Sequence, residues 1–199
     1  MPASMQTQLS NTLSNDNLLR MGEIKFDVTP MLYTTGRRNA ITITAQGGVV
    51  QLQIHGDGIF TDAAFNANNG SYAMVPSGTT QTFYLSSGTY SVHITGKEYI
   101  TSMILGTSES TSHYENWSTE TYQLRGMPQL NTLRMSDMNL AGDVMALKSN
   151  TSLVVLDLAR TEVEGDSMLL VSKFANLTTY DFSGAKVNDV TLLVNVQSG

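Results

Sequence analysis

The side chains able to do chemistry in this chain are few and poorly assembled. It carries three histidines, His55, His93 and His113, and no cysteine. A thiolate metal site, a disulfide framework and a cysteine nucleophile are therefore excluded. His55 with Asp57 and Asp62 could ligate a cation, but His-x-Asp at a strand end supplies no fixed coordination geometry, and no metal site is predicted. No Gly-x-Ser-x-Gly elbow occurs, and no phosphate-cradling glycine loop opens a helix. Catalysis needs a nucleophile, a base and an orienting group placed together. The sequence offers no such set, so the expectation is a protein that is not an enzyme and binds no cofactor. A formal charge of -6, from 11 basic and 17 acidic residues, leaves no basic surface. Counterion release then cannot drive binding, and neither nucleic acid nor membrane insertion is expected.

What the sequence does offer is a repeat. Leu130-x-x-Leu133-x-Met135, Leu153-x-x-Leu156-x-Leu158 and Leu177-x-x-Tyr180-x-Phe182 superpose, each followed by an apolar residue at Leu140, Val163 or Val187. The residue between the fourth and sixth positions faces out, so one short strand per repeat is predicted. Its outward residues form columns about 4.8 Å apart. Thr132, Val155 and Thr179 make one, and Arg134, Asp157 and Asp181 another: a candidate recognition face, with a weak cation site conceivable at the two aspartates. Each unit then carries Gly142-Asp143, Gly165-Asp166 or Asn188-Asp189 before an apolar segment. Asp143, Asp166 and Asp189 are predicted helix N-caps, their carboxylates accepting backbone N–H groups at the positive end of the helix dipole.

The elements ahead of the repeat have a period of two. Ile41 and Ile43 alternate with Thr42 and Thr44, and Val50, Leu52 and Ile54 with Gln51 and Gln53. Further strands are predicted at 24–29, 71–75, 80–85, 89–95 and 100–105, separated by turn signals such as Gly47-Gly48 and Pro76-Ser-Gly78. Seven short strands so spaced read as an antiparallel β-sandwich. The first twenty residues are dominated by Ser, Thr, Asn and Gln, so no export signal is expected. No apolar run approaches the roughly 18 residues of a membrane span. Leu9, Leu13, Leu18 and Leu19, with Met21, mark residues 1–21 as an arm that could order by docking its leucines on a partner. At 199 residues and 41% hydrophobic, the chain is long enough to bury a core.

Two resemblances add to this. Ile54-His-Gly-Asp-Gly58 followed by Gly88-Thr-Tyr-Ser-Val-His-Ile-Thr-Gly96 resembles the polycystic-kidney-disease-type, immunoglobulin-like domains of bacterial surfaces. Thr161-Glu-Val-Glu-Gly-Asp166 and its repeats resemble short leucine-rich repeats. Such repeats occur in surface proteins of gut bacteria and in virion proteins of their phages, including crAss-like phages. Met138, Thr161 and Ala185 stand where that pattern usually has asparagine. The expected fold class is mainly β with some α, an N-terminal antiparallel β-sandwich plus a C-terminal leucine-rich-repeat solenoid. Its parts would be an arm at 1–21, a sandwich at 22–106, a connector and repeat cap at 107–126 with Trp117 and Tyr122 plugging the seam, and three repeats at 127–199. The resemblance implies a non-enzymatic phage virion structural protein, a head decoration or fibre protein located in the virion. It would contact other virion proteins through the arm, form a homo-oligomer, and touch a host-surface glycan or protein. The alternative is a bacterial cell-surface adhesin or glycan-binding module.

Overall fold

Alternation of apolar and polar residues dictates the first strands. The computed structural model describes residues 23–28, 39–56, 72–85, 90–105 and 114–188. Seven strands fall on the alternating segments: β1 (Glu23–Val28), β2 (Asn39–Ala45), β3 (Val50–Gly56), β4 (Tyr72–Val75), β5 (Thr79–Leu85), β6 (Tyr90–Thr95) and β7 (Ile100–Leu105). Ile41 and Ile43 on β2, Val50 and Leu52 on β3, and Val92 and Ile94 on β6 are buried, while Thr42, Gln51 and His93 between them are half-buried. These strands pair antiparallel, β1 and β3 flanking β6, and β5 and β7 flanking β2.

The strands do not close into an N-terminal sandwich, and the repeats do not build a leucine-rich-repeat solenoid. Beyond β8 (Tyr114–Glu120), each repeat lays down two strands rather than one. These are β9 (Thr132–Arg134) and β10 (Met138–Asp143), β11 (Val155–Asp157) and β12 (Glu162–Asp166), and β13 (Thr179–Asp181) and β14 (Lys186–Asn188). The second strand of each pair carries its own alternation, as in Glu162-Val163-Glu164, where only Val163 is buried. Its inward residue is the last apolar position of the repeat motif, so a segment read as the approach to a helix is itself a strand. A leucine-rich-repeat coil sets a single sheet against a different wall. Here both walls are sheets, and the helical part shrinks to short turns at Thr121–Leu124, Val144–Ser149 and α1 (Ser167–Val171).

Two open sheets therefore run through both halves of the chain. The first has eight strands in the order β14-β12-β10-β8-β1-β6-β3-β4, and the second six in the order β13-β11-β9-β7-β2-β5. Parallel pairing of β10 with β8 and of β9 with β7 joins the repeats to the antiparallel region in each sheet. Successive repeats then pair parallel, β12 and β14 on one side and β11 and β13 on the other. The corner between the two strands of a repeat is a left-handed residue, Asp137 at φ 59°, Arg160 at φ 54° and Gly184 at φ 73°. One buried cluster extends from Ile24, Ile43 and Phe83 through Met103, Leu133 and Leu140 to Leu156, Val163 and Val187. Tyr122, predicted to plug a seam, is instead 43% exposed. Trp117 lies on β8 opposite Val28 of β1.

Two buried polar side chains, Asn150 and Thr121, are satisfied by partners in a neighbouring layer, as their desolvation requires. Asn150 is fully buried, its Nδ2 donating to the Leu124 carbonyl at 2.7 Å and its Oδ1 accepting from the Met127 amide at 2.9 Å. Thr121 donates its hydroxyl to the Asp143 carbonyl at 2.9 Å in the next layer. Among the described residues no helix is long and apolar enough to cross a membrane.

One glycine tests how tightly the sheets are joined. Gly96, between β6 and β7, has φ 77°, and a Cβ there would lie 2.5 Å from the Val49 carbonyl oxygen. Gly96→Ala should cost about 2 kcal/mol, combining left-handed strain with a backbone clash that no side-chain rotation relieves. Urea denaturation of the two proteins measures it, and equal midpoints would show that the β6–β7 corner can shift.

Candidate functional site

The register of the second sheet decides what its outward face presents. Thr132 stands opposite Val155, and Val155 opposite Thr179. In the same way Arg134 stands opposite Asp157, and Asp157 opposite Asp181. Leu133 and Leu156, between the columns, are fully buried, which sends the flanking residues outward. Both columns continue across the strands of the first half. Thr132 is opposite Ser102, Ser102 opposite Thr44, and Thr44 opposite Thr80. Arg134 is opposite Ile104, Ile104 opposite Thr42, and Thr42 opposite Thr82. One row is thus Thr80, Thr44, Ser102, Thr132, Val155 and Thr179, with a β-branched or hydroxyl side chain on every strand. At about 4.8 Å per strand it spans roughly 24 Å.

The two ends of this face differ chemically. At the β5–β2 end the hydroxyls pair with one another, Thr42 with Thr82 at 2.9 Å and Thr44 with Thr80 at 2.8 Å. At the β13 end the second row becomes Arg134, Asp157 and Asp181. Asp157 Oδ1 accepts from the Ala159 amide at 3.2 Å, and Asp181 Oδ1 from the Ser183 amide at 2.8 Å, so each carboxylate closes the turn after its own strand. Burial and, less strongly, the neighbouring Asp181 charge raise the pKa of Asp157, against the Ala159 hydrogen bond, Arg134 and Arg160. Arg160 reaches back to the previous repeat, its Nη2 donating to Asp137 Oδ2 at 2.6 Å and its Nε to Asp137 Oδ1. Asp137 is 8% exposed, so this two-pronged contact neutralises a carboxylate held out of water. Among the described residues no group of three or more His, Cys, Asp or Glu side chains could hold a metal ion.

The capping aspartates occupy strand ends that lead into helical turns. Asp143 Oδ1 accepts from the Met145 amide at 2.8 Å ahead of the 3-10 turn Val144–Ser149. Asp166 Oδ1 accepts from the Leu169 amide at 2.8 Å ahead of α1. Asp189 lies outside the described residues, as do Leu9, Leu13, Leu18 and Leu19, and Asp57, Asp62 and His113. His93 is half-buried on β6, opposite Lys25 and Gln53.

Sequence reasoning missed one ionisable group altogether. Lys97 is fully buried in the turn Lys97–Tyr99 after Gly96, its Nζ donating to the Gln123 carbonyl at 3.2 Å. Burial, then the nearby Arg125 charge, lower its pKa from 10.5 to about 8, with Glu98 opposing. The Arg125 Nε is itself buried with no hydrogen-bond partner. A lysine in the polar sequence Gly-Lys-Glu-Tyr gives no sign of burial, because its recorded hydrogen bond, to the Gln123 carbonyl, comes from 26 residues away.

With this geometry in place, the sequence matches no protein-family model and no curated protein.

Two pH dependences follow from these environments. The raised pKa of Asp157 makes its ionised form a cost to the fold, absent below the pKa of the unfolded chain and growing as pH rises through the folded value. Asp157→Asn should therefore raise the thermal midpoint at neutral pH, with the gain fading in acid; a gain independent of pH would contradict the electrostatic cause. For Lys97 the folded pKa lies below the unfolded one, so the unfolded chain holds the extra proton between about pH 8 and 10.5. Stability contributed at this site rises through that window. Lys97→Met should stabilise most below pH 8, and its advantage over the native chain should shrink towards pH 10.5, as thermal melts across pH would show.

Proposed function

We propose that the protein is a non-enzymatic structural component of a phage particle, a head-decoration or fibre protein that presents the six-stranded face to a surface partner. The observation that carries this reading is the continuous register of the two rows through Thr44 and Thr42 across all six strands. Hydroxyl, methyl and charged groups recur at strand spacing on a support fixed by backbone hydrogen bonds, so an extended ligand would meet many weak contacts already in place, with little ordering cost. The polar β5–β2 end suits the hydroxyls of a host-surface glycan. The Arg134–Asp157–Asp181 end adds charged contacts that set orientation and partner choice. In this reading the arm at 1–21 contacts other virion proteins, and copies of the chain associate with one another.

The same face supports a second reading from another class, a bacterial cell-surface adhesin or glycan-binding module. The two differ in where the chain is found. Mass spectrometry of purified virions should detect it under the first reading, and its absence there, with detection on the bacterial surface, would favour the second. Both predict that Arg134→Ala with Asp181→Ala weakens binding to a glycan array by roughly tenfold, the scale of about 1.4 kcal/mol for lost charge-assisted contacts. Unchanged binding with an intact fold would remove this face from the account.

A further inference from the structure

Two cations meet where the antiparallel half joins the repeats. Lys97 is fully buried, and its Nζ donates to the Gln123 carbonyl at 3.2 Å. That bond uses one of the three N–H groups an ammonium carries. Arg125, two residues beyond the same carbonyl, has its Nε buried with no hydrogen-bond partner. Its charge lies close enough to Lys97 to lower the pKa of the amine, second only to burial. Among the described residues the ion pairs are Arg160 with Asp137 and Lys186 with Glu162, so no carboxylate there pairs with either cation. Glu98 offsets part of the Lys97 charge, but it is exposed to solvent.

The segments that carry the two cations are held from several sides. Around Arg125, the Leu124 carbonyl accepts from Asn150 Nδ2 at 2.7 Å, the Gly126 amide donates to Ser149 Oγ at 3.0 Å, and the Met127 amide donates to Asn150 Oδ1 at 2.9 Å. Around Lys97, the Tyr99 amide donates to the Gly96 carbonyl at 3.0 Å and the Tyr99 carbonyl accepts from the Gln46 amide at 2.8 Å. Gln129 Nε2 donates to the Glu98 carbonyl at 3.0 Å. Backbone so tied resists moving apart to relieve the repulsion. Like charges brought together out of water, with a buried N–H unmet, cost stability unless something accepts their hydrogens. An anion between them would take the Arg125 Nε hydrogen and a second one from Lys97, and would cancel the repulsion.

We propose that Lys97 and Arg125 form a binding site for one small inorganic anion, of the size and charge of chloride, which ties the β6–β7 corner to the first helical turn of the repeats. Burial sets the size, because a fully enclosed ammonium admits only a ligand of few atoms. Charge follows from the same burial: a singly charged ion gives up its water at lower cost than a doubly charged oxyanion such as phosphate. Arg125 as a residue is half-buried, so the site borders on solvent and the ion can exchange. The inference does not rest on the role proposed for the six-stranded face.

Thermal melts of the full chain at neutral pH and constant ionic strength, with methanesulfonate exchanged stepwise for chloride, test it. The expected result is a saturable rise in midpoint, about 3–6 °C once chloride exceeds its dissociation constant tenfold. Lys97→Met and Arg125→Gln should each abolish the rise, and the advantage of Lys97→Met over the native chain should narrow as chloride increases. No rise, a rise of equal size in both variants, or a response to phosphate without one to chloride would overturn the proposal. A second measurement does not depend on Arg125→Gln folding. The native protein should broaden the chloride NMR line, and Lys97→Met should lose most of that broadening. Equal broadening by the two proteins would likewise overturn it.

Discussion

Parallel pairing of each repeat with the next, in both sheets at once, is the constraint on which the structure depends. A strand of three residues such as β9 or β11 cannot persist alone, because it makes too few hydrogen bonds to offset the entropy of ordering it. Held between neighbours, with Leu133 and Leu156 buried against the opposite sheet, it becomes one layer of a continuous stack. The antiparallel first half serves as the template. β7 and β8 present ready-made edges on which β9 and β10 assemble, so the core passes from one half to the other without a break.

That constraint also builds the outward face. Because strands stack in fixed register, residues separated by 23 or 24 positions in sequence become neighbours, and side chains of one type line up. The threonine row and the Arg134–Asp157–Asp181 row are products of pairing rather than of local sequence. The same stacking brings Arg160 over Gly184, where a Cβ would lie 3.1 Å from the Arg160 Cγ, and carries the guanidinium back to Asp137. The corner of one repeat is thus closed by its neighbours on either side.

Buried charge marks where packing was favoured over solvation. The Lys97 ammonium is enclosed, with the Gln123 carbonyl as its hydrogen-bond acceptor, and the Arg125 cation lies near it. Desolvation at such a site, with the Arg125 charge beside it, lowers the pKa of Lys97 to about 8. Other buried polar groups are paired: Asn150 bridges two layers with both ends of its amide, and Thr161 donates to the Leu158 carbonyl at 2.7 Å.

The sequence by itself determined the short-range features: the alternation that makes Ile41 and Ile43 inward and Thr42 and Thr44 outward, the 23- and 24-residue spacing of the leucines, and the aspartates before the helical turns. These depend on side-chain period and local hydrogen bonding, which neighbouring residues carry. The tertiary structure decided what those features assemble into. Val163 and Val187 each look like the closing position of a leucine motif, yet each sits on a second strand, because a three-residue alternation is too short to announce itself until a partner strand supplies its hydrogen bonds. The joining of Thr80, Thr44, Ser102 and Thr132 into one row, the burial of Lys97 and the exposure of Tyr122 likewise came only from long-range pairing. Register between distant strands is set by how two sheets fill the space between them, and no local stretch of residues contains that information.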